Sequence, residues 1–191
     1  MKSRWSDAGA GAFVKRCAQR SGEDLALRAY TGRLIGAEKS LVLHGGGNTI
    51  IMVTHEDDVA VKTGFTDLLG KEIPAIYVKA SGHDLAGIEP EGHTGLDLGA
   101  LARLGALSAL DDRAMAAELL ARRFDAGAPP PSIETLLHVF VPAKFVDHTH
   151  AGAILALTNQ RGGDALVREH PRTPVLLLLE RGVRLILLIR E

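Results

Sequence analysis

A single cysteine, Cys17, leaves this chain without the means to form an internal disulfide. That fits a reducing compartment, and Cys17 itself is expected to be a semi-exposed residue of a helix. Aromatic residues make up only 4% of the sequence, so no platform for stacking bases is in view. Charge of one sign is missing too. The 22 basic residues and 23 acidic ones nearly cancel, for a net charge of -1. A near-neutral surface gives no global attraction to nucleic acid or to an acidic membrane. Long apolar runs are absent from both ends. The opening "MKSRWSDAGAGAFVKRC" has no apolar core of signal-peptide length. The closing "PVLLLLERGVRLILLIRE" is broken by Glu180, Arg181, Gly182 and Arg184. Neither apolar piece approaches the roughly 20 residues that cross a bilayer. Two buried strands around a turn are expected there instead. The chain is expected to be cytoplasmic, with neither nucleic acid nor membrane as partner.

What is present is enough apolar material for a proper core: 46% of 191 residues, about the length of one domain. "SGEDLALRAYTGRLIG" predicts a helix over residues 21–36, capped by Ser21 with Asp24 three residues on, with Leu27, Tyr30 and Leu34 on one face. "SLVLH" predicts a strand over 40–44, "GGGN" a tight turn, "TIIMV" the return strand over 49–53 and "VAVKT" a third strand over 59–63. "AIYVKAS" predicts a further strand, running into a loop at Gly82. Two helical stretches fall between Leu98 and Phe124, the second with acidic residues in its first turn. "DAGAPPPS" is a loop, because three consecutive prolines cannot be helix interior. "IETLLHVF" follows as a short helix with Ser132 as cap, then "KFVDHTH" as a strand and "AGAILALTN" as a helix. Strands and helices alternate throughout, so the class is α/β or α+β in one layered domain, with early hairpins that argue for a largely antiparallel sheet.

Within this order lie the residues that carry chemistry. His148 and His150 are two apart, and side chains two apart in a strand share a face. They fit either two ligands of one ion, since neutral imidazole binds Zn²⁺ well, or two polar residues that happen to line one face. Asp147, between Val146 and His148, faces the other way and is expected to anchor elsewhere. Glu134 opens the short helix, where an acid suits the helix dipole or is aimed at the histidines. His138, four residues on, shares its face and fits a partner of Glu134 or a surface residue. "HGGGN", His44 to Asn48, offers backbone N–H groups without side-chain obstruction, apt for a phosphate or carboxylate. No Lys-Ser/Thr follows, so it is not a P-loop. "KASGHD", Lys79 to Asp84, adds a cation, a hydroxyl and a flexible glycine.

Taken in this order, "LVLHGGGNT", "YVKASGHDLAGIEPEG", "PPPSIETLLHVFVPAKFVDHTHA" and "ILALTNQ" resemble the class II aldolase/adducin N-terminal domain family. The resemblance is strongest to its rhamnulose-1-phosphate aldolase branch, often fused to a short-chain dehydrogenase, and spans residues 24–170. It implies a single three-layer α/β/α domain around a mostly antiparallel sheet. Gly47 and Asn48 match the family's turn at the substrate phosphate, and Ser81 and Gly82 its second phosphate loop. Ser132 matches the first serine of a Ser-Ser-Glu/Asp signature, which the resemblance implies would also help hold the substrate phosphate, and Glu134 its catalytic carboxylate. His148 and His150 match the metal pair. The implied activity is a Zn²⁺-dependent aldolase that cleaves a ketose 1-phosphate to dihydroxyacetone phosphate and an aldehyde. The implied partners are a small-molecule sugar phosphate and further copies of the chain, as a homo-oligomer.

The likeness also has departures. The family's third metal histidine lies well downstream of the pair, and His170, in a helix-end position, does not match it. Residues 171–191 do not read as the family's continuation, so a truncated or frame-shifted member with an incomplete domain is expected. Ile50 stands where a small polar residue commonly follows Gly-Asn-Thr. Two alternatives to the aldolase therefore stand beside it: a non-catalytic, adducin-like interaction module, and a related metal-dependent sugar-phosphate epimerase or decarboxylase.

Overall fold

The computed structural model describes residues 3–53, 65–163, 165, 175–180 and 183–188. The strand expected over 59–63 and the helix-end His170 lie outside the described residues. Among the described residues, no helix is long and apolar enough to cross a membrane.

Two antiparallel helices come first, α1 (Asp7–Ser21) and α2 (Glu23–Gly36). Ser6 caps α1 by accepting from the Gly9 N–H. Ser21, expected to cap α2, is instead the last residue of α1, and its hydroxyl donates back to the Cys17 carbonyl. Gly22, at φ 78°, makes the corner between the helices, a left-handed conformation that glycine adopts freely. Cys17 is buried on α1 rather than semi-exposed, because α1 lies against α2 and the following turns.

A four-stranded antiparallel sheet follows, in the order β3-β2-β1-β4. Its members are β1 (Asn48–Val53), β2 (Ala75–Lys79), β3 (His93–Asp97) and β4 (Phe145–His148). Antiparallel register sets Asn48 opposite His148, Thr49 opposite Asp147 and Ile50 opposite Val146. Alternation along β1 then decides which layer each residue meets. Ile50 and Met52 join Ile76, Val78, Leu96 and Val146 on one face, packed against Leu101, Leu119 and Val139. Those last three come from α3 (Leu98–Ala102), α4 (Asp112–Ala121) and α5 (Thr135–Val139). Thr49 turns to the other face, where α2 lies. Helices thus cover both sides of the sheet, and the class is α/β with an antiparallel sheet. A sixth α-helix, α6 (Gly152–Thr158), follows β4. The C-terminal β5 (Val175–Glu180) and β6 (Val183–Leu188) pair with each other as a separate antiparallel hairpin.

The α2 contact is made by small residues. Ala26, Ala29 and Gly32 are buried, whereas the expected face of Leu27, Tyr30 and Leu34 is only partly so. A Cβ at Gly32 would meet Thr49 Oγ1 at 3.1 Å and Ile88 Cγ2 at 3.2 Å, so the helix sits as close as its backbone allows. Tyr30 packs instead on Trp5 and Phe13 of the N-terminal segment. Arg28, 4% exposed, reaches through this layer to an ion pair with Asp147. Burial lowers the pKa of the guanidinium, and the Asp147 carboxylate opposes that shift. The carboxylate that the alternation of β4 sends away from the histidines is therefore the clasp between β4 and α2.

His93 is held in the same layer. Its Nε2 is 3.0 Å from Thr49 Oγ1. Burial, then the Arg28 charge, lowers its pKa from 6.5 to about 4. Between those values the unfolded chain binds a proton that the folded protein refuses, so stability falls as pH drops through this window. The expected loss between pH 7.5 and pH 5 is roughly 2 kcal/mol from this residue. Urea unfolding of wild type and His93→Gln at the two pH values checks it; equal losses in both proteins would remove His93 from the account.

Candidate functional site

On the face of the sheet opposite α2, α5, the end of β4 and the turn before β1 converge. Residues 40–44, expected as a strand, form turns and coil instead. Leu41 and Val42 N–H groups both bond to the Glu38 carbonyl, and the Gly46 N–H to that of Leu43. Val42 alone of the apolar run is buried, and Leu43 is 61% exposed. The turn ends at Gly47, φ 73°, where a Cβ would come within 2.6 Å of Val42 Cγ1 and 2.7 Å of the His148 carbonyl. Only glycine lets the turn close against β4 there.

Asn48, first residue of β1, is buried with its amide turned inward. Its Nδ2 donates to Glu134 Oε2 at 2.6 Å and to Ser132 Oγ at 3.1 Å. Ser132 Oγ in turn accepts from the Glu134 N–H. Glu134 is the N-cap residue of α5, yet its carboxylate makes no cap hydrogen bond. It is directed across to the histidines: Oε2 is 3.5 Å from His148 Nδ1 and Oε1 is 3.6 Å from His150 Nε2. The two imidazole centroids are 4.9 Å apart. One donor atom from each of Glu134, His148 and His150 lies within 4.8 Å of the others.

The reason for the pair's convergence differs from the expected one. His148 ends β4, and His150 lies beyond the strand, on the link to α6. A Cβ at Gly46 would sit 3.2 Å from His150 Nδ1, so the glycine turn forms the wall against which that ring rests. His148 is buried, while the His150 side chain is 40% exposed and faces outward.

Charge in the cluster is uneven. Burial raises the Glu134 pKa, but the His150 hydrogen bond and the charges of His148, His150 and His138 outweigh it and hold the carboxyl at about 2. The same hydrogen bond raises the His150 pKa. Burial lowers that of His148 against the pull of Glu134. An ionised carboxylate flanked by two imidazoles is a donor set suited to a divalent cation such as zinc.

Ser81 and Gly82 stand on the adjacent exposed loop, with Gly82 at φ 78°. A Cβ at Gly45 would lie 3.9 Å from the Gly82 backbone, so the two glycine loops are neighbours. Lys79 joins them. Its buried ammonium donates to the carbonyls of Gly45 at 3.0 Å and His83 at 2.9 Å. The cation expected to face a ligand is thus a tie between loops. His138, weighed as a partner of Glu134 or a surface residue, is fully buried behind His148.

No family model matches the chain. The chain is 36% identical over 140 residues to the Bacillus subtilis (strain 168) protein named "Uncharacterized oxidoreductase YuxG", a match covering 73% of this chain. It spans only 19% of that relative's length. Among solved structures, it is similar to the N-terminal class II aldolase domain of a conserved protein from Thermoplasma acidophilum. That match has 32% identity and a TM-score of 0.68, and it covers 88% of this chain and 69% of the other.

Proposed function

The chain belongs to the class II aldolase family, and on that premise we propose that it is a zinc-dependent lyase domain cleaving a ketose 1-phosphate, of rhamnulose 1-phosphate type, to dihydroxyacetone phosphate and an aldehyde. The observation that carries this reading is the meeting of Glu134, His148 and His150 beside the glycine turn. His148 and His150 would hold the ion. When bound, Zn²⁺ supplies Lewis acidity toward the substrate carbonyl and the negative charge that develops beside it.

The chain's own residues do the rest. Glu134 is anchored by Asn48 and directed toward the histidines, so it is placed to take a proton. In the cleavage it accepts the proton of the hydroxyl on the carbon that becomes the aldehyde. The carbon–carbon bond breaks, and the electron pair stays with the carbon next to the ketone, to which the proton is returned. Asn48 and Ser132 hold the carboxylate at a fixed distance during both transfers. The turn ending at Gly47 and the Ser81–Gly82 loop, tied together through Lys79, offer backbone and hydroxyl donors for the phosphate. The relative named an oxidoreductase is about five times as long as the matched part, so any redox chemistry belongs, in this reading, to its remaining length.

The test is release of dihydroxyacetone phosphate from rhamnulose 1-phosphate by the zinc-loaded chain, followed by coupled reduction with a glycerol-phosphate dehydrogenase. Metal-dependent release supports the proposal. No release from any of a panel of ketose 1-phosphates, with the chain folded and metal bound, rejects it.

A further inference from the structure

His138 lies in the second turn of the α5 segment, fully buried, with its ring 5.2 Å from that of His148 and at 60° to it. Its Nε2 is 3.4 Å from His148 Nδ1. Its Nδ1 is buried and has no hydrogen-bond partner among the described residues. Leucine or phenylalanine would fill such a place without burying an unpaired nitrogen. The imidazole therefore contributes one thing that an apolar side chain does not, which is the contact with His148.

We propose that His138 is a positioning residue, which fixes the ring orientation and tautomer of His148 and so presets that imidazole to hold a cation. Between two neutral rings, one nitrogen donates and the other accepts. With the proton on His148 Nδ1 and His138 Nε2 accepting it, His148 Nε2 keeps its lone pair for an ion. The reverse tautomer places the proton on the nitrogen that the ion needs. Groups that orient a metal-binding histidine in this way are commonly carboxylates or carbonyls; here Glu134 Oε2 is 3.5 Å from the same Nδ1 but is shared with Asn48, and its other oxygen faces His150, which leaves His138 Nε2, at 3.4 Å, as the nearer partner. The sequence signal was the Glu134-to-His138 spacing, which put the two on one helix without showing how deep the second lay.

This inference rests on the metal reading of the site, and two measurements separate their fates. The first uses the metal-free full chain and reads the ring nitrogen shifts of His148 by NMR. Wild type is expected to show one tautomer with the proton on Nδ1, and His138→Leu a mixture. The second measures zinc affinity by competition with a chelator. His138→Leu is expected to bind about 10–100-fold more weakly, and His138→Gln, whose side-chain amide can still accept, to recover most of the loss. If His138→Leu does not fold, the comparison of His138→Gln with His138→Phe takes its place. A wild-type chain that binds no zinc defeats the metal reading, while the tautomer measurement still decides the role of His138. Unchanged His148 shifts in the leucine variant, or glutamine and leucine variants equally weak in zinc binding, overturn the proposal.

Discussion

Glu134→Gln is expected to lower the rate of dihydroxyacetone phosphate release by about 10²–10⁴-fold, the range typical of losing a positioned general base. Zinc affinity should fall far less. The substitution keeps size and shape, and the glutamine carbonyl oxygen can accept the 2.6 Å hydrogen bond that Asn48 Nδ2 gives to Oε2. Its amide N–H groups then face His150 with reversed polarity, donating to a neutral ring nitrogen where the carboxylate oxygen accepts. What disappears is the capacity to take a proton. A base and a metal ligand therefore part company in this variant: turnover should collapse while the chain still takes up metal. If affinity and turnover fall together by the same factor, Glu134 serves as a ligand and the proton must go elsewhere. Full activity in the variant would remove the carboxylate from the reaction.

The elements that a single sequence made legible are those whose local chemistry and tertiary use agree. β1 reads as a strand because Thr-Ile-Ile-Met-Val suits a buried strand, and it lies at the centre of the sheet. The loop at Pro129–Pro131 follows from proline's missing N–H. The acidic start of α4 became a cap, with Asp111 accepting from the Ala114 N–H. The missed elements depend on partners. β3 contains Gly95 and has Leu96 as its one large aliphatic residue, so nothing local announces a strand. It forms because β2 offers a full ladder, and Gly95 is needed where a Cβ would meet Tyr77 Cε1 at 2.8 Å. Residues 40–44 show the converse. Their apolar run looks like a strand, but the sheet has no place for it, and it folds back on Glu38 instead.

The convergence of residues at the candidate site was legible, and its depth less so. The order of four motifs pointed to Glu134, His148 and His150 together, and the structure brings them within reach of one another. Spacing could not show that His150 leaves the strand, that the Lys79 ammonium is spent on carbonyl groups, or that Asn48 faces the carboxylate and not the open loop. Each depends on which way a side chain turns at an element's end, where periodicity stops carrying information. Asp147 was the opposite case. Alternation alone sent it to the far face of β4, and Arg28 is there to meet it.

His150→Ala is the sharpest probe of the metal itself. It should weaken zinc binding by more than roughly 100-fold, since removing a ligand must exceed the 10–100-fold typical of losing a group behind one. The His150 side chain is 40% exposed, so its truncation leaves no buried cavity and the metal-free protein should unfold at nearly the wild-type midpoint. His148→Ala should lose the metal as completely but also lose stability, because that ring is buried between Glu134 and His138. The pair thus separates binding from folding. In wild type, zinc at 100 times its dissociation constant should stabilise the fold by about 2.7 kcal/mol, and a chelator should reverse the gain. His150→Ala should show neither response. A wild-type melting curve indifferent to zinc, manganese and chelator alike would mean that the two imidazoles and the carboxylate meet for some purpose other than holding an ion, and the assignment of an aldolase chemistry to this cluster would fall with it.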